Sequence, residues 1–408
     1  MHFFLPIALL ATCTHSLLHH LAVGTMNGQV LYSLEMDDEA RRVYMIAARD
    51  AAGAASSLAL DRSKRHLFSS RPEDGTLTRY SITPTYEFIN EGSMSIPSSC
   101  NTTTFTTLHL SSSTQNLGIW GTASTGTCSI LFGLTSDGYT TIRSSEISGD
   151  IHSLAWSPSG SNLHALDSHS SPDSKTSITN FHIAQTPSLT DIVGINVLEN
   201  VANASKIVAH PTQPTIYLVT RDSNELVVLP LDDTASKDTP TRFKLLPASL
   251  DASMTFHTSS LALSASRSTL WTLSQSDSQA VVNAFELDPA TGAVLRVAAR
   301  ASWVARGNGE GRLTAATWVE GDVVGVANSP VGYVTVLGLD RGVAAKVVGG
   351  GAVEGEAPHA FLVPMDVGGG AGERRRWWRR EALAARVMSF GRTSLYDYVD
   401  LGESVWMD

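Results

Sequence analysis

KIVAHPTQPTIYLVTRDSNELVVLPLD (Lys206–Asp232) holds three short apolar runs separated by two polar turns. The runs are rich in Ile, Val, Leu and Tyr. The breaks carry Pro, Asn, Asp, Ser and Thr. Apolar stretches of four to eight residues, bounded by turn formers, read as β-strands and are too short for helices. The stretch therefore predicts a strand–turn–strand–turn–strand unit.

The same unit recurs. It is seen in SLALDRSKRHLFSSRPEDGTLTRYSI (Ser57–Ile82), SLAWSPSGSNLHALDSHSSPDSKTSITNFHI (Ser153–Ile183), SLALSASRSTLWTLSQSDSQAVVNAFELD (Ser260–Asp288) and AATWVEGDVVGVANSPVGYVTVLGLD (Ala315–Asp340). Taking Leu58, Leu154, Ile207, Leu261 and Ala315 as anchors, the last three intervals are 53, 54 and 54 residues. The first interval is 96 residues and has room for one further unit, TTFTTLHLSSSTQNLGIWGTASTGTCSILFGL (Thr103–Leu134). A period near fifty residues with several strands per repeat is the signature of a β-propeller.

Six units account for Leu58 to Asp340. The two chain ends supply a seventh. SVWMD (Ser404–Asp408) reads as a first strand, and HHLAVGT, QVLYSLEMD and RRVYMIAAR as the other three. A blade built from both termini closes the ring and removes an open sheet edge. The expected fold is all-β: a seven-bladed β-propeller with its closing blade shared between N- and C-terminal strands. A chain of 408 residues exceeds the usual size of one core. A ring of blades escapes that limit, because each blade packs only on its neighbours.

Hydrophobic residues make up 42% of the chain, enough for a sizeable core, and the formal charge is −10. That balance argues against a nucleic-acid-binding surface spread over the whole chain, which would need clustered Lys and Arg. Phe3 to Ala11 is apolar but too short to span a bilayer. It matches the core of a secretory signal peptide, here taken as residues 1–18, although the first Lys or Arg is Arg41. The alternative is an apolar segment packed on a cytoplasmic protein. Export agrees with the even pair Cys100 and Cys128, read as one disulfide against two buried thiols. It also agrees with the glycosylation sequons at Asn101 and Asn203. Residues 19–408 then form the propeller, and no other segment reads as a membrane span.

Residues 342–392 fit no blade. They contain two GGG runs and Arg374-Arg375-Arg376-Trp377-Trp378-Arg379-Arg380. Such composition reads as an insertion, with a short helix at Glu381 to Met388. Its Arg/Trp cluster suits an anionic partner, but the plainer reading is a solvated loop whose Trp side chains cover a blade.

The chain shows no zinc-ligand spacing, no phosphate-binding glycine loop and no Gly-x-Ser-x-Gly elbow. No metal and no cofactor are expected. His19 and His20 are adjacent, and neighbouring strand residues face opposite ways, so the pair cannot line one site. Propellers bind ligands where inner strands converge, a fold-level analogy. Four units place polar groups just before or at the start of an inner strand: His152, Ser205-Lys206, His257 and Arg312. Strand-leading loops are polar in any protein. Four such groups together point to a cationic pocket for a small anionic ligand.

LHHLAVGT…VLYSLEMDDE, GDIHSLAWSPSGSNLHALD, KIVAHPTQPTIYLV and the terminal VWMD occur in an order that resembles the fungal 3-carboxy-cis,cis-muconate cyclase family, part of the propeller lactonase group. The resemblance covers nearly the whole chain outside the Gly/Arg-rich stretch. It implies an isomerase that closes a γ-lactone when a carboxylate adds across a double bond, with a positioned acid delivering the proton. It implies a His at the start of one inner strand, an Arg before the next, a Glu closing the following strand, and an Arg one blade further on. Here those places hold His152, Ser205 (beside Lys206), Arg221 (beside Asp222) and Gln275. The resemblance thus makes His152 the proton-transfer group. Losing two Arg that pair with carboxylates, each worth about 1.5–3 kcal/mol, weakens the parent chemistry. Lys206, Arg221, His257 and Arg312 are the substitute cations for substrate binding. A lactonising or lactone-hydrolysing enzyme is one reading. A secreted, catalytically silent propeller that binds a small anion or a protein is the other.

Overall fold

A computed structural model of the chain describes residues 18–25, 30–37, 42–50, 57–95 apart from 62 and 72–75, 102–107, 119–145 apart from 126–127 and 136–137, 151–167, 175–183, 190–304 apart from 232–239, 249 and 251–252, 311–317, 321–328, 333–339, 360–364, 393–394 and 401–407. The signal-peptide stretch 1–17, Cys100, Asn101, the Arg374–Arg380 run and the expected helix at 381–388 lie outside the described residues. So do the side chain of Cys128 and the proposed disulfide. Leu18, the last residue of the expected signal peptide, already opens a strand.

The described strands form seven antiparallel sheets. The closing blade joins β29 (Leu401–Trp406) to β1 (Leu18–Thr25), β2 (Val30–Asp37) and β3 (Arg42–Asp50). The second holds β4 (Ser57–Leu60), β5 (His66–Arg71), β6 (Thr76–Ile82) and β7 (Phe88–Ser95). The third holds β8 (Thr102–Thr107), β9 (Ile119–Thr125), β10 (Cys128–Thr135) and β11 (Gly138–Ser145). The fourth runs β12 (Ile151–Trp156), β13 (Asn162–Asp167), β14 (Lys175–Ile183) and β15 (Thr190–Ala202). The fifth runs β16 (Ala204–Ala209), β17 (Thr215–Thr220), β18 (Glu225–Pro230) and β19 (Thr241–Lys244). The sixth runs β20 (His257–Leu263), β21 (Thr269–Gln275), β22 (Gln279–Leu287) and β23 (Val294–Val304). The seventh runs β24 (Arg312–Thr317), β25 (Asp322–Asn328), β26 (Tyr333–Leu339) and β27 (Ala360–Pro364), with β28 (Thr393–Ser394) also on β26.

The first strands of the blades touch in sequence: β29, β4, β8, β12, β16, β20, β24 and back to β29. That contact order is a closed ring. The termini share one blade as expected, with Ala22 opposite Val405 and Leu21 opposite Trp406.

The outer strand of the closing blade, RRVYMIAAR, is the expected one, but each of the six other blades has a fourth strand that the three-strand repeat does not reveal. The reason is exposure. Along β7 only Phe88 is buried, and β19 has no buried residue. An outer strand facing water on one side carries too weak an apolar pattern to stand out. In the seventh blade this strand is Ala360–Pro364, inside the stretch read as an insertion.

The core lies in the seams between blades, and strand alternation distributes it. On β1, Leu21 and Val23 face the seventh blade with Ala327, Val334 and Val336. Ala22, between them, faces the second blade with Leu58, Leu67 and Tyr80. In the same way Ile207 packs against Ala155 and Leu166, and Leu261 against Tyr217, Val219 and Leu226. The repeat anchors Leu58, Ile207 and Leu261 thus mark residues that inner strands press onto the preceding blade.

Candidate functional site

Three consecutive inner strands break register at the same place. Ile151 pairs Asp167 and Ser153 pairs Leu166, which leaves His152 as a one-residue bulge. Ala204 pairs Thr220 and Lys206 pairs Val219, which leaves Ser205. Thr258 pairs Ser274 and Ser260 pairs Leu273, which leaves Ser259. A bulge re-aims its side chain, and here all three reach the next blade. His152 Nε2 lies 3.0 Å from the carbonyl oxygen of Ala204. Ser205 Oγ donates to Thr258 O at 2.6 Å, and Ser259 Oγ to Gly311 O at 3.2 Å. The inner edge of each sheet leaves backbone groups unpaired within its own blade, so a neighbour's side chain satisfies them.

A carbonyl oxygen only accepts, so the His152 proton sits on Nε2 and the ring's basic atom is Nδ1. His152 therefore shares a structural task with Ser205 and Ser259. Adjacent residues add a second tie: Ser153 Oγ accepts Ile207 N at 3.1 Å, and Ser260 Oγ accepts Leu313 N at 2.9 Å. Lys206 holds the equivalent position in the intervening strand, and an ammonium cannot accept an N–H bond.

The rim beside these bulges is built by two asparagines with left-handed backbone, a conformation Asn tolerates. Asn203 (φ 51°) turns the chain into β16, and Asn224 (φ 49°) turns it into β18. Asn224 Nδ2 donates to Asp222 O and Phe256 O, both at 2.9 Å, and Asn224 Oδ1 accepts from Thr258 Oγ1 at 2.8 Å. Arg221 N donates to Asn203 O at 2.8 Å, while Arg221 O accepts Thr258 N at 2.9 Å. The Arg221–Asn224 turn is thus clamped to the leading ends of both β16 and β20. On it Asp222 receives His257 Nδ1 at 2.9 Å on Oδ1, and Asn203 Nδ2 on Oδ2.

His152, Arg221 and His257 are therefore joined by a short hydrogen-bonded path through Ala204, Asn203 and Asp222. Lys206 lies on β16 and Arg312 is the first residue of β24, the inner strands on either side of β20, and each is partly exposed. Gln275, at the place where the resemblance expects an Arg, is buried and pairs opposite His257. Its Oε1 accepts Gly311 N. Its amide is committed to the backbone of the next blade rather than to a ligand.

The sequence reading missed Asp222 as the partner of His257, because 35 residues separate them and only the blade packing joins them. Asn203 is read from sequence as a sequon, and in the fold its amide nitrogen bonds a carboxylate. The useful signal was the Asp-Ser-Asn turn, a composition that favours left-handed backbone. His19 and His20 are both buried on β1. His20 Nε2 lies 3.3 Å from Glu35 Oε2, and its ring stacks on Tyr86 of the second blade. Among the described residues, no group of three His, Cys, Asp or Glu is arranged to hold a metal, and no helix is long and apolar enough to cross a membrane.

No family model matches the chain, and no curated protein matches it. Solved structures do. The periplasmic gluconolactonase PpgL of Pseudomonas aeruginosa superposes with a TM-score of 0.63 at 17% identity, covering 86% of this chain and all of that one. A putative 6-phosphogluconolactonase from Bacteroides uniformis gives 0.57 at 13% identity, covering 79% and 93%. A protein from Lactobacillus plantarum gives 0.59 at 14%, covering 81% and 94%. The chain has the propeller fold that these structures share.

Proposed function

We propose that the protein is a lactonase-like propeller that takes a small carboxylated ligand at the rim formed by β12, β16, β20 and β24, and opens or closes a lactone ring there. His152 is the proton-transfer group that the cyclase resemblance implies, acting through Nδ1. Lys206, Arg221 and Arg312 supply the positive charge, with arginine best suited to a carboxylate's two oxygens, and His257 stands beside them as a substrate-binding group. One observation carries this reading. The main chain of Arg221 is held between Asn203 and Thr258, so an arginine and two histidines from three blades share one rim.

The fold shared with gluconolactonase and 6-phosphogluconolactonase structures supports a lactone or its hydroxy acid as the ligand class. Calorimetric titration with D-gluconate and 3-carboxymuconate, repeated on Arg221→Ala and Arg312→Ala, tests the binding reading. Saturable binding weakened about tenfold or more by either change supports it, as loss of one charge-assisted contact requires. Wild-type protein that binds neither acid overturns it. An ultraviolet assay on 3-carboxymuconate, whose diene absorbance disappears on ring closure, tests for cyclase chemistry.

A second, non-catalytic reading has its own support. Ser205 and Gln275 stand where the resemblance expects arginines, and both are spent on backbone bonds between blades. In that reading the protein is exported and binds an anion without transforming it. Intact-mass measurement of secreted protein tests export, a Cys100–Cys128 bridge, and glycans on Asn101 and Asn203.

A further inference from the structure

We propose that His257 is the catalytic base of a lactone-hydrolysing step at this rim, and that Asp222 and Asn203 are its positioning residues; this rests on reading the rim as a lactone site. From sequence alone His257 has only a binding role. Its hydrogen bonding suggests more. An ionised carboxylate only accepts, so the bond from Nδ1 to Asp222 Oδ1 fixes the proton on Nδ1 and leaves the Nε2 lone pair as the basic site. No other hydrogen bond of the His257 ring is present among the described residues. The side chain is 42% exposed, so water reaches it.

Asp222 is exposed, yet it is hydrogen-bonded on more than one side. Its second oxygen accepts Asn203 Nδ2, and its own carbonyl accepts Asn224 Nδ2. Two left-handed asparagines and the clamped Arg221 backbone hold the turn against the leading end of β20. An exposed His–Asp pair contributes little to stability, on the order of 0–1 kcal/mol. Stability alone therefore does not account for a carboxylate fixed from both sides and aimed at one ring nitrogen. Orienting an imidazole for proton transfer does, since a base works when its tautomer and direction are set in advance.

The step balances with water as the only co-reactant. A water oxygen bonds to the lactone carbonyl carbon while His257 Nε2 takes one of its protons. The carbonyl π pair moves onto oxygen, where a rim cation such as Arg221 offsets the charge. The tetrahedral species then collapses, the ring C–O bond breaks, and Nε2 returns the proton to the departing oxygen. The product is the open hydroxy acid. The substrate class is a five- or six-membered lactone, carboxylated or neutral.

The test uses full-length protein with two probes, D-glucono-1,5-lactone and dihydrocoumarin, across pH 5 to 9. Wild type opens at least one of them, with a rate that falls on the acid side as the base protonates. His257→Gln lowers kcat by about 10²–10⁴-fold with KM little changed. Asp222→Asn gives a smaller loss in kcat and displaces the acid limb. Nitrogen-15 spectra show the Nδ1–H tautomer of His257 in wild type and its loss in Asp222→Ala. Equal rates in wild type and His257→Gln overturn the proposal. So does an activity loss that follows a fall in Tm and disappears at low temperature. Protein that binds D-gluconate but opens neither lactone also overturns it, while leaving the carboxylate-binding reading in place. Lactone opening by protein that binds neither D-gluconate nor 3-carboxymuconate supports the proposal and overturns that reading instead.

Discussion

His152 Nε2 lies 3.0 Å from the carbonyl oxygen of Ala204, and that bond ties the fourth blade to the fifth. Ser205 and Ser259 make the corresponding bonds at the next two junctions. A residue that resembles a catalytic histidine thus occupies a position whose neighbours in the repeat are structural.

The two roles separate by substitution. His152→Ala removes the tie and is expected to lower stability by about 1 kcal/mol, the usual net value of one such bond. His152→Gln offers an amide N–H to the same carbonyl but has no basic Nδ1. Thermal unfolding should leave the Gln variant close to wild type, while proton transfer is lost in both. A Gln variant with full activity would remove His152 from the chemistry.

Gly311, just before β24, lies close against β21 of the sixth blade. A Cβ placed there would lie 2.7 Å from Gln275 Oε1 and 2.8 Å from Leu273 Cδ2. Gly311→Ala should therefore cost about 1–3 kcal/mol, as overpacking does. The loss should shrink when Gln275→Ala is added, since that change clears the nearest atom. Additive losses, read from denaturant midpoints, would contradict the contact.

His210, at the β16–β17 turn, gives a pH dependence. It is fully buried, and Nδ1 accepts Gln213 N at 3.1 Å and Thr212 N at 3.3 Å. Burial first, and the nearby Arg267 charge second, hold its pKa below the ordinary value. The folded state thus binds this proton less readily than the unfolded chain. The stability it contributes is complete above the unfolded pKa and is lost as pH falls toward the folded one. Wild type should weaken on acidification below about pH 6.5, and His210→Asn should weaken less over that window. Identical pH slopes for the two proteins would rule His210 out.

Asp322 is a carboxylate almost wholly buried at the seam of the sixth and seventh blades. Oδ2 accepts the hydroxyls of Ser266 at 2.7 Å and Thr269, and Oδ1 accepts Thr317 Oγ1 at 2.7 Å. Removing the acceptor strands several donors. Asp322→Ala should cost about 3 kcal/mol or more, since hydrogen bonds to a charged group are worth about 1.5–3 kcal/mol each. Urea unfolding measures it, and a loss under 1 kcal/mol would contradict the network.

Much of the fold was legible because propeller blades repeat. An inner strand presses an apolar residue onto the preceding blade, and Leu58, Ile207 and Leu261 do so at spacings that fit the repeat. Outside the closing blade the outer strands were not legible; β7 and β19, for example, face water and carry almost no apolar pattern. Among the site residues, His152, Lys206, Arg221, His257 and Arg312 could be picked out as polar groups at or near strand ends. Their partners could not, since Asp222 and His257 sit in different blades.

The sequence by itself determined the all-β repeat and the blade shared between the termini, because both follow from hydrophobic period and turn chemistry within short windows. Only the tertiary structure decided what the polar residues do. It gave His152 a carbonyl to hold, spent Gln275 on a neighbouring backbone, and set Asp222 against His257. Those outcomes depend on register shifts of a single residue and on contacts between blades, and neither leaves a local pattern in the chain.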